Sequence, residues 1–162
     1  MHGFTTGRTG RASALAAMVL LSTSSFAQAG TPVTRVTGTY SYTSISGPKA
    51  VSIDAHLTDP VKGNWHFTNL DTGLERGGPV TCLVVDGQDV WIAGPATIGD
   101  AGAFIYLRDE GSPGSNDQAV TFIQDVDLGQ SFEELQGWCE DQNTDVERYP
   151  LDSGNLVIHA SG

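Results

Sequence analysis

The chain has 162 residues, of which 39% are hydrophobic, and a formal net charge of −11. A chain of this length makes one ordinary domain with enough residues to bury a core. The acidic balance argues against nucleic acid as a partner, because phosphate binding needs a basic surface, and it disfavours anionic membranes for the same reason.

The first 29 residues are typical of a secretory signal peptide. Arg8 and Arg11 precede the apolar run 12–21, and the segment ends in Ala27-Gln28-Ala29, an A-x-A cleavage end. The apolar run is too short to span a bilayer, so we expect no membrane span. We therefore predict a secreted protein whose mature part, 30–162, is a single β domain. It retains six Lys and Arg against 19 Asp and Glu, a formal charge of −13.

Alternation of apolar and polar residues along the mature chain predicts β-strands. The predicted strands are 34–45, 51–57, 63–68, 78–86, 89–97, 103–109, 118–126 and 154–160. Gly87-Gln88 suits a two-residue type II′ turn, which would place Cys82 opposite Ala93 and Val84 opposite Trp91.

One segment favours a helix. Ser131 followed by Glu134 matches a capping box, so Phe132 to Gln136 is predicted to be helical and Gly137 to end it. Seven or eight strands joined by short links then predict an all-β fold, an antiparallel barrel or sandwich, with one short helix near 131–137.

Cys82 and Cys139 are the only cysteines in the chain. An even number in an exported protein predicts one disulfide. It would close a loop of nearly 60 residues and stabilise the fold by about 4 kcal/mol. Because Cys82 lies in the apolar run 80–85, we expect a structural role rather than a catalytic thiol.

Three segments carry a resemblance to other proteins: VTCLVVDG at 80–87, RDEGSPGSND at 108–117 and GNLVIH at 154–159. Together they resemble a loosely defined family of small secreted bacterial β domains, which often have a V-T-C-L-x-V-x-G strand, a D-x-G-x-P-G-x-x-D loop and a terminal G-N-x-x-x-H strand. The likeness extends from about residue 60 onward. Its motifs are turns, strand edges and a cysteine, so it implies a type of fold and no catalytic residue.

Two histidines on neighbouring predicted strands form a candidate zinc site. If 51–57 pairs with 63–67 with the apolar faces aligned, the paired residue numbers add up to 120 or 122, and at 122 His56 lies opposite His66. Opposed Cβ atoms are about 4.5–5.5 Å apart, close enough for two imidazoles to share Zn²⁺. His159 or Asp54 would supply a third ligand. The alternative is two solvated histidines on the wet face of a sheet.

A second candidate metal site lies in the polar loop 109–117. Asp109, Glu110, Asn116 and Asp117 offer hard oxygen ligands for Ca²⁺, although their spacing is not that of an EF-hand. Gly, Pro, Asn and Asp are also the residues that turns need, so solvated turn residues are the alternative. No other cofactor is predicted.

Gly63-Asn64-Trp65 is similar to the G-x-W start of calycin barrels, the lipocalin and avidin type. Trp65 is therefore a candidate ligand contact, with a core aromatic as the alternative. An eight-stranded barrel of this type can hold one small ligand.

The sequence contains no G-x-S-x-G elbow, H-E-x-x-H motif or phosphate-binding loop, and no catalytic residue is predicted. We therefore favour a monomeric, secreted, non-enzymatic binding or structural module. A small-ligand carrier of calycin type is the first alternative, and it requires a closed barrel with an internal cavity. A secreted hydrolase is the second, and it requires a cleft with converging carboxylates or a Ser/His pair.

Overall fold

The computed structural model of the chain describes residues 33–97, 101–111, 116–123 and 131–160. In chain order the elements are β1 (Val33–Ser44), β2 (Gly47–His56), β3 (Lys62–Asn69), β4 (Leu74–Pro79), β5 (Cys82–Asp86), β6 (Asp89–Pro95), β7 (Gly102–Arg108), β8 (Gln118–Ile123), α1 (Phe132–Glu140) and β9 (Tyr149–Ala160). The predicted signal peptide, 1–29, lies outside the described residues. Within them, no helix has the length and apolar character needed to cross a membrane.

The nine strands form one antiparallel sheet in the order β4-β3-β2-β1-β9-β8-β7-β6-β5, and the sheet curls into a half-barrel. The all-β class is confirmed, but the predicted count of seven to eight strands is wrong. The predicted strand 78–86 is in fact the end of β4 and the whole of β5, separated by Val80 and Thr81. β4 escaped prediction because Gly77, Gly78 and Pro79 have low strand propensity.

The concave face of the half-barrel holds the main core. Val36 faces Ala55 and Tyr40 faces Val51 across β1 and β2, and Trp65 on β3 packs into the same cluster. The residues that alternate with these core residues along each strand point to the opposite face of the sheet, and on β1, β2 and β3 that face is polar.

A smaller core lies on the convex face of β5 to β8, beneath α1. Ser131 caps this helix through a capping box with Glu134, as predicted, but α1 continues to Glu140 with Gly137 inside it. The predicted stop at Gly137 is therefore wrong. Leu135 is buried against the strands.

The predicted disulfide is confirmed: Cys82 on β5 is bonded to Cys139 on α1, with an S–S distance of 2.00 Å and a Cα–Cα distance of 6.3 Å. Both cysteines belong to the smaller core. The bond thus ties the helix to the edge of the sheet.

One pair of strands is joined over only a short length. β9 pairs with β1 along almost all of its 12 residues, but with β8 only at Gln118–Pro150 and Ala119–Tyr149. Beyond Ala119, β8 has β7 on one side and no described strand on the other. This opening between β8 and the β1–β2 hairpin is called the seam below.

The opposite edge of the half-barrel is closed by a close approach of β4 and β6. The Thr97 N–H donates to the Gly77 carbonyl oxygen at 2.8 Å. A Cβ atom at Gly78 would collide with the Pro95 carbonyl oxygen, and one at Gly94 with the Pro79 carbonyl oxygen. Both positions therefore require glycine.

Candidate functional site

The structure separates the two histidines of the predicted zinc site. β2 and β3 pair with residue numbers that add up to 118, so His56 lies opposite Lys62 and His66 lies opposite Ser52. The predicted sums of 120 and 122 are wrong, although the even parity is right. Four residues of strand separate the histidines, roughly 14 Å at about 3.4 Å per residue. They cannot share one metal ion at that distance.

His56 instead belongs to a polar cluster on the convex face of β1 and β2. The Arg35 guanidinium donates two hydrogen bonds to the Asp54 carboxylate, at 2.9 and 2.8 Å, and His56 Nε2 lies 3.1 Å from Asp54 Oδ1. The hydrogen bond from Arg35 holds the pKa of Asp54 below its usual range. All three side chains are partly exposed, so this cluster contributes little to stability.

His159, the other proposed zinc ligand, lies across β1 from His56. Its Nε2 is 2.9 Å from Thr37 Oγ1. A hydrolytic triad needs one histidine between a nucleophile and a carboxylate. Here the hydroxyl contact is on His159 and the carboxylate contact is on His56, so these contacts do not form such a relay.

The predicted calcium ligands lie around a loop of which residues 112–115 are outside the described residues. Asp117 is only 2% exposed. Its Oδ1 accepts from the Glu110 N–H at 3.0 Å, while its Oδ2 has no partner among the described residues. Burial raises the pKa of this carboxyl.

The neighbouring carboxylates are engaged in other contacts. Glu110 Oε1 accepts from Arg108 Nε at 2.8 Å, and Asp109 Oδ1 accepts from the Gly111 N–H at 2.7 Å. Asn116 has a φ of +74°, a conformation that asparagine tolerates in turns. Across the four described ranges, no group of three His, Cys, Asp or Glu side chains is placed to hold a metal ion.

Trp65, the predicted ligand contact, is buried in the main core between β2 and β4. Its Nε1 has no hydrogen-bond partner among the described residues. Trp65 is not among the residues that line the pocket in the seam.

A pocket of about 370 Å³ lies in the seam, and we call it the seam pocket. Five of its lining residues come from the β1–β2 hairpin: Tyr42, Ser44, Ile45, Ser46 and Lys49. Three come from β8 and two from the chain entering β9: Val120, Thr121, Phe122, Glu147 and Tyr149. It exists because β9 leaves β8 after two residue pairs, so no strand of the described residues fills the space beside Val120 to Phe122.

Lys49 is the most unusual side chain of the seam pocket. It is only 2% exposed, since it occupies an inward position of β2 two residues before Val51. Its Nζ donates to the Ser46 carbonyl oxygen at 3.0 Å and lies 5.8 Å from the centre of the Phe67 ring. Within the described part of the chain, no carboxylate lies in ion-pair distance of it. An ammonium has three donors, and a buried one normally has a counter-charge.

Thr121 adds further polar groups to the same pocket. Its Oγ1 is buried without a partner among the described residues, as is the hydroxyl of Tyr40 nearby. The two hydroxyls are neighbours but do not meet in good hydrogen-bond geometry. Burial, above all, raises the pKa of Tyr40 well beyond its ordinary value, so its hydroxyl stays protonated.

The backbone of Thr121 also faces the seam. The Leu151 N–H donates to the Asp117 carbonyl oxygen at 3.0 Å, and N–H groups along a strand alternate between its two sides. Residues 117, 119 and 121 therefore direct their N–H and C=O groups toward the β9 side. At Thr121 no described strand is there to meet them.

Among the described residues, the lining of the seam pocket combines apolar residues with a single carboxylate, that of Glu147. Tyr149 stacks on Tyr42 with ring centres 6.0 Å apart, and its hydroxyl donates to the Glu147 carboxylate at 3.2 Å. Ile45, at the turn of the β1–β2 hairpin, is 90% exposed. An apolar molecule that reached into the pocket would cover Ile45.

Sequence reasoning missed both Lys49 and Thr121, but a signal for each is present. Lys49 shares its strand face with Val51, and Thr121 shares its face with Ala119 and Ile123, all of them core residues. A polar residue at an apolar position of an alternating strand marks either a buried hydrogen bond or a site.

Comparison with known proteins adds no family: no protein-family model, no curated protein and no solved structure matches the chain. The seam pocket is therefore the feature from which a function can be inferred.

Proposed function

We propose that the protein is a secreted, non-catalytic binding module that holds one small, partly apolar molecule in the seam pocket. The observation that carries this proposal is the pocket itself, about 370 Å³ of space between β8 and the β1–β2 hairpin with a buried lysine in its wall. Mostly apolar walls with a few convergent polar groups are typical of small-molecule sites.

The calycin-type carrier remains the second candidate, but its ligand would lie at the seam and not inside the barrel. A lipocalin-like carrier would hold its ligand inside a closed barrel. Here the concave face is filled by core residues such as Trp65, Phe67 and Ile105. The space lies at the seam instead, and a carrier built on this chain would hold its ligand there.

Secretion is part of the same proposal. It is supported by the predicted signal peptide, 1–29, and by the disulfide, which persists in oxidising compartments. Mass spectrometry of the exported protein tests it. We expect a mature chain that begins at Gly30, and an uncleaved chain found only in the cytoplasm would contradict secretion. The resemblance to small secreted bacterial β domains agrees with export and says nothing of a ligand.

Binding is tested by isothermal titration of the purified protein with a panel of neutral and charged molecules of about 8 to 14 non-hydrogen atoms. We expect at least one member to bind with a Kd below about 100 µM. Ser46→Trp, which fills the pocket rim, should abolish the binding. Gln88→Trp, at an exposed turn of another hairpin, is the matched control and should leave it unchanged. Equal binding to both variants, or no binding across the panel, would refute the proposal.

A further inference from the structure

We infer that the ligand of the seam pocket is an amphiphile with a single anionic group, and that this group enters first and pairs with Lys49. The inference rests on the proposed function, because it names the chemistry of the molecule that the seam pocket holds. Its four supports are the charge of Lys49, the donors beside it, the apolar walls and the carboxylate of Glu147.

The charge of Lys49 calls for an anion. Its Nζ makes one hydrogen bond to a backbone carbonyl, of three that an ammonium can donate, and it has no carboxylate partner among the described residues. Burying a charge without a counter-charge opposes folding, and an apolar side chain at this position would avoid that cost. An anion that reached Nζ would make the ion pair that the described residues do not supply.

Thr121 completes a set of donors for that anion. Both Thr121 Oγ1 and Lys49 line the seam pocket, and Oγ1 has no partner in the described part of the chain. The Thr121 N–H faces the same opening, because β9 has already turned away. A carboxylate has two oxygens that accept hydrogen bonds, so it can use an ammonium together with a hydroxyl or an amide.

The remaining walls fit an apolar tail. Val120, Phe122 and Tyr149 line the seam pocket together with the exposed Ile45. At about 30 Å³ for each non-hydrogen atom, 370 Å³ holds roughly a dozen atoms. This corresponds to a straight-chain carboxylate of about eight to ten carbons in all.

The carboxylate of Glu147 limits the ligand to one negative charge. Glu147 lines the seam pocket and is exposed to solvent, unlike the buried Lys49, and the whole chain carries a net charge of −11. A second anionic group at the tail end would meet this carboxylate. We therefore expect monoanions to be preferred over dianions of the same length.

The test compares octanoate, 1-octanol, octylammonium and suberate by isothermal titration at pH 7 with the purified protein. We expect octanoate to bind 10- to 100-fold more tightly than 1-octanol, because a hydrogen bond to a charged group shielded from water strengthens binding by about that factor. Octylammonium should not bind. Suberate should bind at least fivefold more weakly than octanoate, and Glu147→Gln should remove most of that difference.

Variants at Lys49 separate a ligand role from a structural one. Lys49→Met keeps the length of the side chain and removes the charge, and it should weaken octanoate 10- to 100-fold while leaving 1-octanol unchanged. Lys49→Arg should restore most of the octanoate binding. Lys62→Met, which removes the same charge from an exposed position of β3, is the matched control and should bind octanoate normally.

Without ligand, Lys49→Met should have a melting temperature at least equal to that of the natural protein, because it buries no charge. A lower melting temperature with unchanged octanoate binding would make Lys49 a structural residue and overturn the inference. Should Lys49→Met fail to fold, Thr121→Val removes one donor at constant shape, and it should weaken octanoate about three- to tenfold.

The outcomes distinguish this inference from the proposed function. Equal affinity for octanoate and 1-octanol, unaffected by Lys49→Met, would overturn the inference and leave a pocket for neutral molecules. Absence of binding by any of the four compounds and by the wider panel would overturn both.

Discussion

Removal of the Cys82–Cys139 disulfide should lower the free energy of unfolding by about 4 kcal/mol. The bond joins residues separated by 57 positions. A cross-link that closes a loop of this length removes about 14 cal/mol/K of entropy from the unfolded chain, or about 4 kcal/mol at 25 °C. Single domains have unfolding free energies of about 5–15 kcal/mol, so the variant should fold but be marginal.

The structure also predicts that the stability losses of the two single cysteine variants do not add in the double variant. Cys82 and Cys139 lie in the same small core, and loss of either sulfur breaks the same bond. Cys82→Ala, Cys139→Ala and the double variant should therefore lose similar amounts, and the coupling energy of the double-mutant cycle should be about 4 kcal/mol. Each truncation also removes packing beneath α1, which makes the double variant slightly the least stable.

Urea unfolding in a non-reducing buffer, followed by tryptophan fluorescence and circular dichroism, measures these quantities. The m-value should rise in all three variants, because their unfolded chains are no longer cross-linked and expose more surface. Single variants whose losses add up in the double variant, or a loss below about 1.5 kcal/mol, would refute the chain-entropy argument. The folded structure around α1 would then be the part that the bond stabilises.

Three further predictions concern glycine positions and ionised groups. Gly94→Ala should lower the unfolding free energy, measured in urea, by about 1–3 kcal/mol, because the added Cβ meets a backbone carbonyl of β4. Gly137→Ala should instead raise the unfolding free energy by about 0.5–1 kcal/mol, because Gly137 lies inside α1 with open space around it. Burial raises the pKa of Asp117 above 3.8, so its ionisation opposes folding at neutral pH. In thermal melts, Asp117→Asn should raise the melting temperature at pH 7, and this gain should disappear as the pH falls below 3.8. A gain in melting temperature that is equal at pH 7 and below pH 3.8 would contradict this. Arg35→Met should raise the pKa of Asp54 toward 3.8 in an NMR titration of its carboxyl carbon, and an unchanged pKa would mean that Arg35 does not hold it.

The sequence was informative where a local turn determines the pairing. The β5–β6 register is the predicted one, with Cys82 opposite Ala93 and Val84 opposite Trp91, because Gly87 takes a φ of +60° in a two-residue turn. The same reasoning found the capping box of α1 and the disulfide.

The β2–β3 register could not be obtained in the same way. Its connection is five residues long, 57–61, and is held by its own hydrogen bonds, from the Thr58 N–H to the His56 carbonyl at 3.0 Å and from Thr58 Oγ1 to the Pro60 carbonyl at 2.7 Å. Alternation fixes only the parity of a register, and the loop fixes the rest. The zinc hypothesis depended on the undetermined part.

The seam could not be predicted from the sequence either, but for a different reason. Its position depends on where β9 leaves β8. Pro150 marks a strand edge because it has no N–H to donate, but it does not indicate which neighbouring strand is lost. The core positions on either side look like ordinary alternating strands. Lys49 and Thr121, polar residues on apolar faces, are the signal of something other than core packing there, and that signal was missed.

The seam also predicts an unusual pattern of amide exchange in β8. Val120 and Phe122 direct their N–H groups toward β7, which lies alongside them over the whole strand, while the Thr121 N–H faces the opening. In the free protein, the Thr121 amide should exchange with solvent much faster than its two neighbours, although its side chain is about as buried as that of Val120 and more buried than that of Phe122. Bound octanoate should slow the Thr121 amide and leave Val120 and Phe122 unchanged, because only Thr121 gains an acceptor. Slow exchange at Thr121 without ligand would mean that the seam is already closed, and the anion would then have no amide to meet.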